Sequence, residues 1–166
     1  MYSLKSNSIV LSSSVKDFLS ELERNLDFDF VVTSGTRTPE QQVSAMFYKI
    51  NQGENLRNIY KDDNFADLVQ NAYPDTQAAI KIVQNYARAG GGSSHLRGLG
   101  VDIRTRDKTA VQRKKIIDTS LELGAPIAIY EPTPPHIHIT VNKKKFNLGT
   151  IAVLILLIRG ISWLKK

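Results

Sequence analysis

Apolar side chains that recur every three or four residues predict helices in four parts of the chain. The clearest stripe follows Ser13 and Ser14, either of which can cap the helix. A second helix opens at Pro39, because proline is favoured at the first helical position. Two more helices are predicted over residues 75–88 and 108–123, each ended by a glycine. The stripe of the first helix comprises Val15, Phe18, Leu19, Leu22 and Leu26.

Short apolar runs, most of them alternating with polar residues, predict strands in four further segments. In the last segment, alternation places His136 and His138 on one face and branched apolar residues on the other. A strand is a rigid base for such side chains, and we expect a neighbouring strand to bring Asp102 alongside. The four segments are residues 28–34, 99–103, 127–130 and 136–141.

Residues 51–74 have scattered aromatic residues in a polar background, which fits a helix and a loop equally well. We expect this segment to roof a substrate cleft. Residues 1–12 are polar and serine-rich, and they lack the basic start and apolar core of a signal peptide. The whole pattern predicts one α+β domain over residues 1–142, with helices packed on a small, mostly antiparallel sheet.

Residues 143–166 differ in character and form the second predicted unit. Within them, residues 148–158 carry no charge and are apolar on every side of a helix, which is typical of burial in lipid or protein. Residues 146–164 would span about 28 Å, close to the thickness of a bilayer's hydrocarbon core. Lysines flank both ends, and Trp163 suits the interface. We therefore predict a C-terminal apolar helix that anchors the protein in a membrane, with docking on protein as the alternative.

The net charge of +6 comes entirely from this C-terminal segment. Its lysines and Arg159 supply the excess, and residues 143–166 contain no acid, so residues 1–142 have equal numbers of basic and acidic side chains. Residues 1–142 thus lack the excess of basic side chains that nucleic-acid binding requires, and we predict no nucleic-acid partner. The chain has no cysteine, which excludes a disulfide framework and a thiolate metal site.

Three short segments contain all the histidines of the chain and fit one zinc site. They are residues 93–102, Glu131, and the tripeptide His136-Ile137-His138. Two imidazoles and one carboxylate are a ligand set of catalytic zinc, which leaves the fourth position open. One general base nearby would complete a hydrolase.

The first of these segments follows the pattern S-x-H-x-x-G-x-(A/G)-x-D, and the last contains H-x-H. In this order they resemble the zinc D-alanyl-D-alanine carboxypeptidases, a group that includes many phage endolysins. The amino-terminal signalling domain of hedgehog proteins, which has the same fold, is similar as well. Upstream, Ser34-Gly35-Thr36-Arg37-Thr38-Pro39 resembles the S-G-x-R-(S/T)-P segment of that family. The resemblance covers roughly residues 30–141 and implies a hedgehog-like, D,D-peptidase-like fold.

The resemblance also implies a role for each matching residue. Zn²⁺ would be held by His95, Asp102 and His138. Arg37 would face the substrate, where its planar fork matches a carboxylate. Ser93 would bind near the substrate or shape its own loop.

The general base is open between two residues. The family has a Glu or His a few residues before the last ligand, and here Glu131 and His136 both precede His138, Glu131 with a slightly longer spacer. Gly100 stands where the family usually has alanine, which counts as a small change.

These features predict a zinc metallopeptidase of the D,D-carboxypeptidase or endopeptidase type, a cell-wall hydrolase that cleaves stem or cross-link peptides of peptidoglycan. The alternative is a catalytically inactive, zinc-stabilised structural or binding module of a membrane-containing assembly, since hedgehog-type domains serve mainly as binding surfaces. A membrane lesion made by the tail alone is a third possibility, but it would leave residues 30–141 without a role.

Location follows from combining the anchor with the peptidase motif. A tail-anchored protein without a signal peptide would face the cytoplasm, away from the wall. We therefore expect a lytic enzyme of a phage, either associated with the virion or an endolysin, anchored in the virion membrane or the host cell envelope. The predicted partners are peptidoglycan peptides, the membrane through the C-terminal helix, and structural proteins of the virion.

Overall fold

Two stretches of the chain, residues 1–60 and 62–143, are described by the computed structural model. Within them the fold is α+β, with five helices and one five-stranded sheet, so the predicted fold class is confirmed at that level. The helices are α1 (Ser13–Asn25), α2 (Pro39–Asn51), α3 (Asp63–Ala72), α4 (Thr76–Arg88) and α5 (Ala110–Glu122). The strands are β1 (Tyr2–Leu4), β2 (Phe30–Ser34), β3 (Gly100–Arg104), β4 (Ile127–Pro132) and β5 (Pro135–Thr140).

The helix starts follow capping chemistry, with one correction. Ser12, and not Ser13 or Ser14, caps α1: its backbone is extended and its hydroxyl accepts a hydrogen bond from the Val15 amide. Both later serines already belong to the helix. At α2 the prediction is confirmed, because Pro39 opens the helix and Thr38 forms a reciprocal capping box with Gln41.

The sheet has the strand order β1-β2-β3-β5-β4 and is antiparallel except for the parallel pair β1–β2. The predictions missed β1, an edge strand too short to show alternation. Strand β3 is central, and β5 lies between β3 and the edge strand β4 and pairs with both. Asp102 on β3 lies directly opposite His138 on β5, and Glu131 on β4 lies opposite His136.

The two hydrophobic clusters divide the molecule into two layers. One cluster fills the space between α1, α5 and one face of the sheet; Leu19, Phe30 and Ile137 are fully buried there. The other joins α2, α3 and α4 around Met46 and Phe65. Residues 51–74, for which the sequence favoured neither helix nor loop, contain a 3-10 turn (Leu56–Asn58) and the whole of α3. The histidine-bearing face of the sheet stays free of the first cluster.

No helix in residues 1–60 and 62–143 is long and apolar enough to cross a bilayer. The predicted apolar helix falls on residues 144–166, which lie outside the described residues.

Candidate metal centre

Three ligand-type side chains converge on the open face of the sheet: His95, Asp102 and His138. Asp102 and His138 are cross-strand neighbours on β3 and β5. His95 comes from the turn just before β3, where the Leu99 and Gly100 amides both donate to the Ser94 carbonyl. Adjacent strands and one tight turn therefore bring together residues that are distant in sequence.

The converging atoms form a small triangle. Nε2 of His95 lies 3.2 Å from Oδ1 of Asp102 and 3.2 Å from Nδ1 of His138, and the last two atoms are 2.9 Å apart. A tetrahedral zinc with bonds of about 2.0–2.1 Å separates its ligand atoms by about 3.3 Å. The three residues therefore fit a metal ion in both donor chemistry and spacing.

Hydrogen bonds on the far side of each imidazole leave the inner nitrogen free for a metal. Nδ1 of His95 lies 2.6 Å from the carbonyl of Gly35, which can only accept, so the ring proton is on Nδ1 and the lone pair on Nε2. Nε2 of His138 lies 3.1 Å from the hydroxyl of Ser94 and 3.2 Å from that of Thr140. Either hydroxyl can accept the Nε2 proton, which leaves the lone pair on Nδ1.

Asp102 is held ionised by its neighbours. Burial by itself would raise its pKa, but the interactions with His95, His138 and Arg37 together hold the pKa of Asp102 well below its usual range. Nη2 of Arg37 donates to Oδ2 of Asp102 at 2.8 Å. A carboxylate that is charged at neutral pH is ready to bind a cation.

The guanidinium of Arg37 contacts Asp102, one of the three candidate metal ligands. Besides Asp102, its guanidinium donates to Ser34 Oγ at 3.0 Å and to Gln42 Oε1 at 3.5 Å. Its backbone amide donates to the His95 carbonyl at 3.2 Å. The predicted substrate role of Arg37 stays a prediction, and its observed role is to orient Asp102.

Glu131 and His136, the two candidates for the general base, lie side by side next to the triangle. Nε2 of His136 is 3.6 Å from Oε2 of Glu131 and 3.7 Å from Oδ1 of Asp102. Nδ1 of His136 donates to the Pro134 carbonyl at 2.6 Å, so a neutral ring has its lone pair on Nε2. That lone pair faces the carboxylates of the site.

Lys49, which the sequence analysis did not single out, ties Glu131 to α2. Its ammonium group donates to Oε2 of Glu131 at 3.0 Å and to the Thr133 carbonyl at 2.6 Å, and lies 3.6 Å from Glu54. The Lys49 side chain is only 13 % exposed, so water screens this pair weakly. Helix α2 thereby fixes the β4–β5 turn beside the triangle.

The turn that carries His95 leaves no room for a side chain at Gly100. A Cβ there would lie 2.6 Å from Ser94 Oγ and 2.7 Å from the His95 amide nitrogen. The glycine at position 100, where the similar family usually has alanine, looked like a small change in the sequence. In this turn it is required, because an alanine side chain would clash. Ser93 shapes the same turn, since its hydroxyl accepts from the His95 amide at 3.2 Å; its contact with substrate stays a prediction.

A cleft of about 900 Å³ runs over this face of the sheet. It is lined by the triangle, by the Glu131–His136 pair, and by residues of the helical layer that include Tyr60. A volume of this size accommodates several residues of a peptide. All seven residues that the sequence analysis assigned to the site line the cleft: Arg37, Ser93, His95, Asp102, Glu131, His136 and His138.

Three further residues of the site were missed: Lys49, Gln42 and Tyr60. Gln42 carried a usable signal, because it is a polar residue beside Val43 and Met46 on the buried stripe of α2 and is itself fully buried. Lys49 and Tyr60 had none, since their roles depend on contacts with distant segments.

Comparison with protein-family models, with curated proteins and with solved structures gave no match.

Proposed function

We propose that this protein is a zinc-dependent peptidase that hydrolyses peptide bonds in peptidoglycan, with His95, Asp102 and His138 as the zinc ligands. The observation that carries the proposal is the triangle of candidate ligand atoms 2.9–3.2 Å apart, with Glu131 and His136 next to it. When bound, zinc would act as a Lewis acid that polarises a substrate carbonyl and lowers the pKa of water. The similarity to D,D-peptidases and hedgehog domains in motif order supports the same assignment.

The residues of the chain supply the proton transfer. In hydrolysis the water oxygen bonds to the carbonyl carbon, the C–N bond breaks, and the water proton passes to the leaving amine. Glu131 and His136 are 3.6 Å apart and act as one pair that accepts this proton and returns it. Lys49 holds the carboxylate of this pair in place.

Substrate binding falls to the walls of the cleft. Arg37 keeps Asp102 oriented and directs its remaining N–H groups toward a substrate carboxylate. Ser93 keeps the turn of His95 closed. The sheet bounds the cleft on one side, and α2 with the residues after the 3-10 turn bounds it on another.

The proposal extends to location. Residues 143–166 would anchor the enzyme in a membrane, and the protein would serve a phage as a virion-associated lytic enzyme or an endolysin. The basis is the apolar, lysine-flanked sequence of this segment. Detection of the protein in purified, lipid-containing virus particles supports the virion role, and its absence from them contradicts it.

A second candidate is a zinc-stabilised binding module without activity. One observation favours it: Arg37 and Glu131 are both ion-paired inside the protein, to Asp102 and Lys49, as expected of structural residues. In that case zinc would contribute to folding and the cleft would hold a partner segment.

One experiment separates the two candidates. The purified full chain is incubated with isolated cell-wall sacculi, with and without a chelator, and released fragments are read by mass spectrometry. Chelator-sensitive fragments establish the peptidase and name the bond that is cut. The His138→Ala chain is the control and should bind no zinc and release nothing. A folded, zinc-loaded wild-type chain that releases nothing supports the binding module.

A further inference from the structure

Gln42 links Tyr60 to Arg37 through a buried side-chain amide. Gln42 is fully buried on α2, its Nε2 donates to the hydroxyl of Tyr60 at 2.9 Å, and its Oε1 accepts from Nη1 of Arg37 at 3.5 Å. Tyr60 follows the 3-10 turn, where its amide donates to the Leu56 carbonyl and its ring packs edge-on against Phe65 at 5.8 Å. The ring is therefore held from both sides.

The donor and acceptor roles along these hydrogen bonds can be assigned in only one way. A guanidinium only donates, so the amide oxygen of Gln42 must face Arg37 and its NH₂ group must face Tyr60. The Tyr60 oxygen then accepts, and its own proton has to point elsewhere. Within residues 1–60 and 62–143, the Tyr60 hydroxyl has no other hydrogen-bond partner. Tyr60 also lines the cleft, so an acceptor oxygen bound there could take this proton.

The proton also stays on the oxygen under ordinary conditions. Burial raises the pKa of Tyr60 to about 12, with Arg37 lowering it and the carboxylates of Glu131 and Asp102 raising it. These three charges belong to the candidate metal centre, so the hydroxyl lies within its electric field. At neutral pH the Tyr60 hydroxyl is therefore uncharged and can donate a hydrogen bond.

We propose that Tyr60 is a substrate-binding residue that donates its hydroxyl proton to an acceptor oxygen of the peptide bound beside His95, Asp102 and His138. The inference rests on the proposed peptidase function and adds a specific contact to it. A donor with a fixed direction selects substrates that have a carbonyl or carboxylate oxygen at one place in the cleft. Tyr60 lies in residues 51–74, which the sequence analysis expected to roof the cleft, so this segment would take part in substrate binding.

The test uses the zinc-loaded full chain and a soluble disaccharide pentapeptide from digested cell wall as substrate. Tyr60→Phe keeps the ring and removes only the hydroxyl. We expect KM to rise about tenfold, the value of one good hydrogen bond, with kcat changed less than about twofold. The zinc content should equal that of the wild-type chain, because Tyr60 contacts none of the three ligands.

A second variant separates substrate binding from a structural role. Tyr60→Phe alone leaves the buried NH₂ group of Gln42 unpaired, which by itself can disturb the cleft. The double variant Tyr60→Phe/Gln42→Leu removes both partners of this hydrogen bond. Because Gln42 also accepts from Arg37, the single variant Gln42→Leu is measured beside it as the reference for KM and zinc content. We expect the KM of the double variant to stay raised. A return of KM to the wild-type value in the double variant would mean that the hydroxyl only supports packing, and would overturn the inference.

The outcomes for the proposed function and for Tyr60 are distinguishable. If the wild-type chain neither binds nor cleaves the pentapeptide, the peptidase proposal fails and the Tyr60 inference falls with it. If the wild-type chain cleaves it and Tyr60→Phe has the same KM, only the inference fails. A fall in kcat at unchanged KM would also contradict substrate binding by Tyr60 in the ground state.

Discussion

Arg37 and Asp102 form a partly buried ion pair in which the two oxygens of the carboxylate have different partners. Nη2 of Arg37 donates to Oδ2 at 2.8 Å, while Oδ1 faces Nε2 of His95 and Nδ1 of His138. Oδ2 is held by Arg37, which orients the carboxylate, and Oδ1 is placed to bind a cation. The pair joins Arg37, three residues after the end of β2, to the middle of β3 and orients one corner of the triangle.

Loss of Arg37 should weaken metal binding. Arg37→Met removes the donor that orients Asp102, and we expect the affinity for Zn²⁺ to fall about 10- to 100-fold, as for other residues that support metal ligands. Competition with a chelator of known affinity measures it. Arg57→Met is the matched control, since Arg57 pairs with Asp67 on the surface. Equal zinc affinity in Arg37→Met and wild type would contradict a supporting role.

Gly100→Ala should disturb the turn that carries His95. The added Cβ would meet the Ser94 hydroxyl and the His95 backbone at 2.6–2.7 Å, so the turn must shift. We expect the free energy of unfolding to fall by about 1–3 kcal/mol and zinc affinity to fall with it. Urea denaturation and metal titration measure the two effects. Gly91→Ala, where the nearest atoms are 3.4 Å away, should change neither.

Substitution of the proton-accepting pair should abolish catalysis without releasing zinc. Glu131→Gln and His136→Gln should each slow hydrolysis at least about 100-fold, because the water proton loses its acceptor. Zinc content, read by elemental analysis, should stay at the wild-type level, since both residues lie outside the triangle. The variant with the larger loss identifies the acceptor. Loss of zinc from His136→Gln would instead make His136 a ligand.

Lys49→Met should loosen the β4–β5 turn. The change leaves the carboxylate of Glu131 and the carbonyl of Thr133 without their donor, and we expect unfolding to become easier by about 1–3 kcal/mol. Hydrolysis should slow as well, with zinc affinity retained. Lys114→Met, which removes an exposed pair with Asp118, serves as control. A stability loss no greater than in this control would show that the Lys49 pair is dispensable.

Tyr60 should give the protein a specific alkaline instability. In the unfolded chain tyrosine has a pKa near 10, and in the folded chain burial raises the pKa of Tyr60 to about 12. The folded state therefore holds this proton more tightly. Its stabilising contribution is complete below about pH 10 and is lost as pH rises from about 10 to about 12, by about 2–3 kcal/mol.

The measurement compares urea unfolding of wild type and Tyr60→Phe at about pH 9 and about pH 11.5. Wild type should lose more stability than the variant over this range, since phenylalanine has no proton to release. Parallel losses in the two chains would mean that the Tyr60 hydroxyl titrates as in water.

The α+β class, four of the helices and four of the strands follow from periodicity alone, because each of these segments has a pattern of apolar and polar residues long enough to recognise. The alternation in β5 already put His136 and His138 on one face. Residues 1–12 and 51–74 resisted prediction for a physical reason: β1 is stabilised by pairing with β2, and α3 by packing against α4. Neither has a sufficient local pattern.

Which side chains are available for chemistry can be read from the sequence, and the motif order grouped His95, Asp102 and His138, which the fold brings together. The partners of these side chains follow from the packing of the fold. Arg37 reaches Asp102 across 65 positions, Lys49 reaches Glu131 across 82, and the Gly35 carbonyl orients His95 across 60. Such contacts form when separate helices and strands pack together, so they cannot be predicted from the spacing of residues within one segment. The same packing leaves no room for a side chain at Gly100 and places Tyr60 in the lining of the cleft.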